Sequence, residues 1–367
     1  MGIPEKIKAI QDEIHRTQIN KATEHHVGLL KAKIAKLKRE QETEQVKKSS
    51  KKQDGFDVKR TGDATVVFIG LPSVGKSTLL NRLTGSKSAI GAYQFTTLTV
   101  VPGVMNYRGA RIQVLDLPGI IKGASTGKGL GRRILSVARS ADIVLLVLDV
   151  FQPYHEDVLI NELGNIGIRL NQTPPDIVIE KSTTGGIAVA QQKKLKKMSE
   201  KLLKEILNIY GYTSARVVIK EDIESEQLID FINGNKTYAK GITILNKIDL
   251  VDEKFLKDVS KKLKTDFIPT SADSNKNINQ LKERIYNELQ FIRVYLRPKG
   301  GETDFKEPLI VRKGNTVADV CNKLHRNMKK DFRFGLVWGK SVKFGGQRVS
   351  LNHVLIDEDV LTVVKKR

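Results

Sequence analysis

The eight residues Gly70-Leu71-Pro72-Ser73-Val74-Gly75-Lys76-Ser77 constrain this chain more than any other stretch. They match G-x-x-x-x-G-K-[ST] and lie between a β-branched run, Thr65-Val66-Val67-Phe68-Ile69, and a helical sequence, Ser77-Thr78-Leu79-Leu80-Asn81-Arg82-Leu83. In that setting glycines let the backbone wrap an anion, with successive N–H groups and a helix N-terminus facing phosphate. Lys76 is expected to reach the β- and γ-phosphates of a nucleotide, and the Ser77 hydroxyl to bind Mg²⁺. Further strand candidates are Arg111 to Leu115, Ile143 to Asp149 and Ile242 to Leu245, with helical stretches between them. That alternation predicts an α/β fold with a mainly parallel sheet covered on both faces.

The phosphate motif does not choose a base, but Asn246-Lys247-Ile248-Asp249 does, because it directly follows the strand Ile242 to Leu245. An aspartate there accepts two hydrogen bonds from the N1–H and exocyclic amine of guanine, which adenine cannot supply. Ser271-Ala272 follows a strand-like stretch, Asp266 to Pro269, and is expected to support the base through the Ala272 N–H. Between these motifs, Asp116-Leu117-Pro118-Gly119 ends a strand. It places Asp116 to hold Mg²⁺ through water and the Gly119 N–H to sense the γ-phosphate. Thr96-Thr97, within Tyr93-Gln94-Phe95-Thr96-Thr97-Leu98, sits where a switch threonine would close on Mg²⁺ and γ-phosphate. Gly123, Gly127, Gly129 and Gly131 predict a mobile loop after Gly119.

A chain of 367 residues holds two or three packed units. Residues 1–60 read as a helical hairpin and linker. Ile3, Ile7, Ile10 and Ile14 mark one stripe and Val27, Leu30, Ile34 and Leu37 a second, with the lysines Lys31, Lys33, Lys36 and Lys38 alongside. The hairpin is either a docking module or packed on its own protein, and the sequence leaves both open. Lys47 to Gly55 reads as a polar linker. After residue 293, short strands at Pro308 to Val311, Leu336 to Trp338 and Val360 to Val364, with a helix from Val317 to Met328, predict a small separate α+β domain.

These residues closely resemble the developmentally regulated GTP-binding proteins, in the Obg-like branch of translation-factor-related GTPases. The resemblance is carried by Gly70 to Ser77, Phe95-Thr96-Thr97-Leu98, Asp116-Leu117-Pro118-Gly119-Ile120-Ile121 and Asn246 to Asp249. Asn20-Lys21-Ala22-Thr23-Glu24-His25-His26 and Leu336-Val337-Trp338-Gly339 add to it outside the site. It implies a P-loop GTPase domain with GTP/GDP and Mg²⁺ as cofactors, and Thr97 rather than Thr96 as the magnesium ligand. Asp116 and Asn246 are 130 positions apart, a spacing that accommodates the small inserted α/β domain of that family. The architecture it implies is a hairpin (1–60), a GTPase domain in two parts (61–166 and 237–293), the insertion (167–236) and a ubiquitin-like, β-grasp TGS domain (294–367).

In many GTPases the residue after D-x-x-G is a glutamine that orients the attacking water. Here it is Ile120, which cannot hydrogen-bond. Lys76, Thr97 and Gly119 are the expected catalytic groups. Slow turnover is expected unless K⁺ or a partner assists. Related GTPases hold K⁺ partly with a phosphate-loop asparagine, and Ser73 stands at that position. The resemblance implies a switch acting in translation on a ribosome or RNA, with a regulatory protein partner. The alternative is an RNA- or protein-binding scaffold with a structural, slowly hydrolysed nucleotide.

The formal net charge of +22, from 63 Lys and Arg against 41 Asp and Glu, suits a polyanionic partner (RNA, a ribosome or an anionic membrane) and equally a solvated lysine-rich surface kept for solubility or ion pairing. Residues 294–367 carry 16 basic and 8 acidic side chains. Within them Arg326, Lys329, Lys330, Arg333, Lys340, Lys343 and Arg348 interleave with Phe332, Phe334 and Trp338, a composition that suits RNA. Lys193 to Lys197 reads as a solvated helix face, His25 and His26 as helix-surface residues, and Cys321 as buried packing. With one cysteine and no apolar run of membrane-spanning length, a monomer in the cytoplasm with no membrane association is expected.

Overall fold

The computed structural model describes residues 2–18, 20, 23–48, 62–85, 93–95, 98–117, 137–298 and 300–366. It divides into two units, one of residues 1–55 and 171–238, the other of residues 56–170 and 239–367.

In the larger unit the run from Ala64 becomes β1 (Ala64–Gly70), every residue of which is buried. A strand buried on both faces needs apolar side chains at successive positions, and β1 divides them between two cores. Val66 and Phe68 enter one with Leu79, Leu80 and Leu83 of α3 (Lys76–Thr84) and Leu281 and Ile285 of α8 (Ile278–Glu288). Val67 and Ile69 enter the other with Leu159 and Leu163 of α4 (His155–Asn165) and Val259 of α7 (Glu253–Ser260). β1 pairs in parallel with β4 (Ala110–Asp116) and β5 (Ile143–Asp149), and β5 with β10 (Thr237–Asn246). β11 (Phe267–Pro269) extends the sheet in parallel beyond β10.

The far edge departs from the parallel expectation. β2 (Tyr93–Phe95) and β3 (Leu98–Tyr107) run antiparallel, and β3 meets β4 through a two-residue turn between Tyr107 and Ala110. Arg108 (φ 48°) and Gly109 (φ 83°) both take left-handed conformations there, as a type I′ hairpin requires. A side chain at Gly109 would strike the Pro308 ring, because its Cβ would stand 2.6 Å from Pro308 Cγ.

The C-terminal part of this unit is a five-stranded sheet in the order β13-β12-β16-β14-β15. Its strands are β12 (Phe291–Leu296), β13 (Leu309–Arg312), β14 (Phe332–Trp338), β15 (Gln347–Val349) and β16 (Asp359–Lys365). One face packs on α9 (Val317–Leu324), with Val317, Val320 and Cys321 in the core, so Cys321 is packing as expected and burial raises its thiol pKa. The helix is shorter than the expected Val317 to Met328. A capping box between Thr316 and Asp319 starts it, His325 is extended, and Met328 packs on the core from a turn. This layer is tied to the nucleotide-binding part of the unit. Ile310 of β13 and Phe291 of β12 lie in the β1 core, Arg312 pairs with Asp142, and Lys323 Nζ reaches Asp63 Oδ1 at 2.8 Å.

In the smaller unit, β7 (Ile177–Lys181), β9 (Ala215–Ile219) and β8 (Ile187–Gln191) form a sheet covered on one face by α5 (Glu200–Ile209) and α6 (Ser225–Asn233). The hairpin, α1 (Ile3–Arg16) and α2 (Glu24–Lys48), belongs here: Ala32 of α2 is buried in this core, with Leu29 and Ala35 packed beside it. The hairpin thus packs on its own protein through this face of α2. Lys36 Nζ also donates to Ile209 O at 2.9 Å. His25 pairs with Glu205 and His26 with Glu13, surface roles as expected.

The lysine run is a correction: Lys193 to Lys197 is a bent loop rather than a helix face. The N–H groups of Lys196 and Lys197 both donate to Asp222 Oδ1, at 2.9 and 3.1 Å, which holds that carboxyl below its usual pKa. Ser199 then caps α5, its hydroxyl accepting from Leu202 N at 3.2 Å. Because Ala32 is fully buried, Ala32→Leu should overpack this core and cost about 1–3 kcal/mol, read as a lowered urea midpoint.

Candidate nucleotide site

The site is assembled at the carboxyl ends of the parallel strands, where loops of an open α/β sheet leave a crevice. The glycine loop runs from the end of β1 to α3. Ser73 takes φ 64° and Gly75 φ 91°, and Gly75 occupies the cap position of α3. Gly75 is also required by space, since a Cβ there would lie 2.3 Å from Asn246 Nδ2.

Asn246 is 1% exposed at the end of β10, and its carboxamide spans two loops. Nδ2 donates to Val74 O at 2.9 Å, and Oδ1 accepts from Ala272 N at 3.1 Å. The phosphate loop and the base loop are thus held together by one side chain. The Ala272 N–H expected at the base is joined to Asn246 in this arrangement. Lys247 takes φ 68° and donates from Nζ to Asp149 Oδ2 at 2.7 Å, adding the end of β5. Asp249 is exposed in the short 3-10 turn Ile248–Leu250. The Ser271 hydroxyl accepts from Ser274 N at 3.1 Å and shapes the loop that carries Ala272.

The phosphate end is charged and partly buried. Lys76 is only 8% exposed, and its ammonium donates to Gly70 O at 3.1 Å and Leu71 O at 2.8 Å. Burial lowers its pKa, opposed by the charge of Asp116. The Ser77 hydroxyl donates to Asp116 Oδ2 at 2.7 Å. Asp116 is 6% exposed, and its other oxygen has no hydrogen-bond partner among the described residues. Burial raises the Asp116 pKa, while the Ser77 hydrogen bond and Lys76 pull it back. A buried carboxylate oxygen left open beside a hydroxyl suits a hydrated divalent cation, so these residues fit Mg²⁺.

Gly70, Leu71, Pro72, Ser73, Val74, Gly75, Lys76, Ser77 and Thr78 therefore form one continuous loop-and-helix start, with Asp116, Asn246, Lys247, Ser271 and Ala272 around it. Leu117 is buried in the second core, and Phe95 lies in β2. Thr96, Thr97, Pro118, Gly119 and Ile120 fall outside the described residues, as do the four glycines that follow. Sequence reasoning missed two contributors. Asp149, a charged residue ending an apolar strand at the crevice, carried a usable signal. Arg82 did not: its Nε donates to Ala272 O at 2.8 Å and its Nη2 to Asp273 O at 2.9 Å, contacts 190 and 191 positions away.

Comparison with known proteins agrees with this geometry. A family model described as "50S ribosome-binding GTPase" matches residues 65–181, the C-terminal region of the same domain matches 184–291, and a TGS domain matches 292–365. An uncharacterised GTP-binding protein of Methanocaldococcus jannaschii is 51% identical over 100% of this chain and 94% of its own. The developmentally-regulated GTP-binding protein 1 of Xenopus laevis and the developmentally-regulated GTP-binding protein 2 homologue of Dictyostelium discoideum are each 45% identical over the full length of both chains.

Asp116→Asn removes a buried charge that has one protein donor. It should raise nucleotide-free stability by about 1 kcal/mol in thermal unfolding while weakening nucleotide affinity most when Mg²⁺ is present.

Proposed function

The chain belongs to the developmentally regulated GTP-binding proteins, P-loop GTPases with a TGS domain, and from that premise we propose that it is a GTP-hydrolysing switch serving translation. The observation that carries this reading is the Asn246 carboxamide, which joins the phosphate loop at Val74 to the base loop at Ala272. A nucleotide would bridge the same two loops, so its binding and their geometry are coupled.

In the proposed mechanism, Asp249 accepts the guanine N1–H and exocyclic amine, with Asn246, Lys247, Ser271 and Ala272 shaping the base pocket. Residues Gly70 to Thr78 cradle the phosphates through backbone N–H groups and the start of α3. Lys76 exchanges the carbonyls of Gly70 and Leu71 for the β- and γ-phosphate oxygens. Held by those carbonyls before ligand arrives, its charge acts with little reorganisation. Ser77 and Thr97 would ligate Mg²⁺ directly and Asp116 through water; when bound, the ion neutralises charge on the phosphate oxygens. The Gly119 N–H reports the γ-phosphate to the segment that follows. Ile120 offers no hydrogen bond to the attacking water, so turnover is slow until K⁺ near Ser73 or a partner completes the site.

A ribosomal or RNA partner is supported by the matched family description, by the net charge of +22, and by the exposed cations Arg326, Lys329, Lys330, Arg333, Lys340, Lys343 and Arg348. Arg348 is held 4.2 Å over the Phe334 ring, which limits the side-chain freedom an anion would otherwise have to freeze. Phe332 is core, and Trp338 is half-buried beneath Arg297. No helix among the described residues is long and apolar enough to cross a membrane. The proposed setting is a cytoplasmic monomer with a regulatory protein partner.

Co-sedimentation with ribosomes should be stronger with a GTP analogue than with GDP, and single-turnover hydrolysis should be faster in KCl than in matched NaCl. Equal rates in the two salts remove K⁺, and no hydrolysis with or without ribosomes favours a scaffold. Asp249→Asn should weaken GDP binding by about a thousand-fold or more and gain xanthosine diphosphate binding in a competition assay; no gain means the base assignment is wrong.

A further inference from the structure

Arg82 lies on α3, about two turns beyond the phosphate loop, and its side chain is exposed. Its guanidinium nevertheless reaches two successive backbone carbonyls of the base loop, Ala272 O through Nε at 2.8 Å and Asp273 O through Nη2 at 2.9 Å. A planar fork that meets two carbonyls fixes orientation as well as distance, which an ammonium cannot do. The same loop is held from its other side, since Ala272 N donates to Asn246 Oδ1 and Asn246 Nδ2 donates to Val74 O. Val74 precedes Gly75, which caps α3. These contacts form a closed ring: phosphate loop, Asn246, base loop, Arg82, α3, and back to the phosphate loop.

The ring has no slack at the Asn246 side, where Gly75 leaves no room for a Cβ. Within the base loop the ties are local. Ser271 and Lys276 exchange backbone hydrogen bonds at 3.1 and 3.0 Å, and Asn277 Nδ2 donates to Pro269 O at 2.8 Å. Those bonds set the loop's shape but not its distance from the phosphate loop. Asn246 ties the base loop at Ala272 N, and Arg82 adds a second tie at Ala272 O and Asp273 O from α3, the helix that starts at the phosphate loop.

Resting on the nucleotide-site reading above, we infer that Arg82 is a positioning residue for guanine: it clamps the base loop to the phosphate helix and so controls nucleotide release. It touches neither phosphate nor metal by this account, and its effect passes through Ala272 and Asp273. A staple of this kind slows release of a ligand that spans both loops and does nothing for one that occupies the phosphate loop alone.

The test uses the full chain with a fluorescent GDP analogue, comparing wild type, Arg82→Ala and Arg82→Lys. Arg82→Ala should speed GDP release by about ten-fold, the equivalent of the two lost hydrogen bonds. Arg82→Lys, which keeps the charge but not the fork, should fall between. Competition by inorganic pyrophosphate, which probes the phosphate loop alone, should be unchanged in both variants. Unchanged GDP release in Arg82→Ala overturns the proposal, as does an equal loss of GDP and pyrophosphate binding, which would mark a structural role. Failure of the wild type to retain GDP would instead overturn the underlying site assignment.

Discussion

The Asn246 carboxamide is the constraint around which the site is organised. It is buried, and it places a donated Nδ2 hydrogen and its Oδ1 acceptor on two loops that are far apart in sequence. An unmet amide in that position would cost a few kcal/mol, so the loops are driven together even without ligand. Gly75 is the complementary concession, a residue whose missing side chain lets the amide approach. Lys76 and Asp116 sit at the other end of the crevice with burial acting against both their charges. Burial thus opposes both charges at the phosphate end, while the base end is held by satisfied hydrogen bonds that keep the two loops in place.

The chemistry-bearing parts were legible in the sequence because they are local. A strand, a glycine loop and a helix start lie within Thr65 to Leu83, and that local order builds an anion-wrapping backbone loop whatever the rest of the chain does. Asn246 to Asp249 was readable for the same reason, as a tetrapeptide at the end of an apolar strand. The α2 helix shows the limit. Its large apolar residues Val27, Leu30 and Ile34 announce one buried face, but Gly28, Ala32 and Ala35, with Leu29 beside them, form a second built mostly from small residues. Small side chains give little periodic signal, yet they are what allows a helix to lie close to α5; a Cβ at Gly28 would stand 3.0 Å from Leu202 Cδ2. The bend at Lys193 to Lys197 was misread because its cause, the Asp222 carboxylate, lies on another segment. Arg82 is the same case at longer range.

Charge on this protein has two different roles. Among the described residues many lysines and arginines are exposed, where ion pairs such as Lys261 with Asp258 contribute little to stability. A few cations are instead spent inward. Arg293 meets Asp357 through Nε at 3.2 Å and Nη2 at 2.7 Å, which orders the loop before β16. Lys76, Lys247 and Arg82 each bond backbone or carboxylate groups around the crevice. The inward set shapes the pocket, and the outward set remains on the surface.

The β3–β4 turn has a wider consequence. β4 ends at Asp116, opposite Val101 of β3, so both strands reach the crevice. Their other end is the Arg108-Gly109 turn, pressed against Pro308, with Ile310 completing the core behind it. The C-terminal sheet is therefore not a bead on a tether. Cutting the chain before β12 would strip Phe291 and Ile310 from the hydrophobic centre of the nucleotide-binding part, and genetic dissection of this molecule into separate working pieces has no clean seam there.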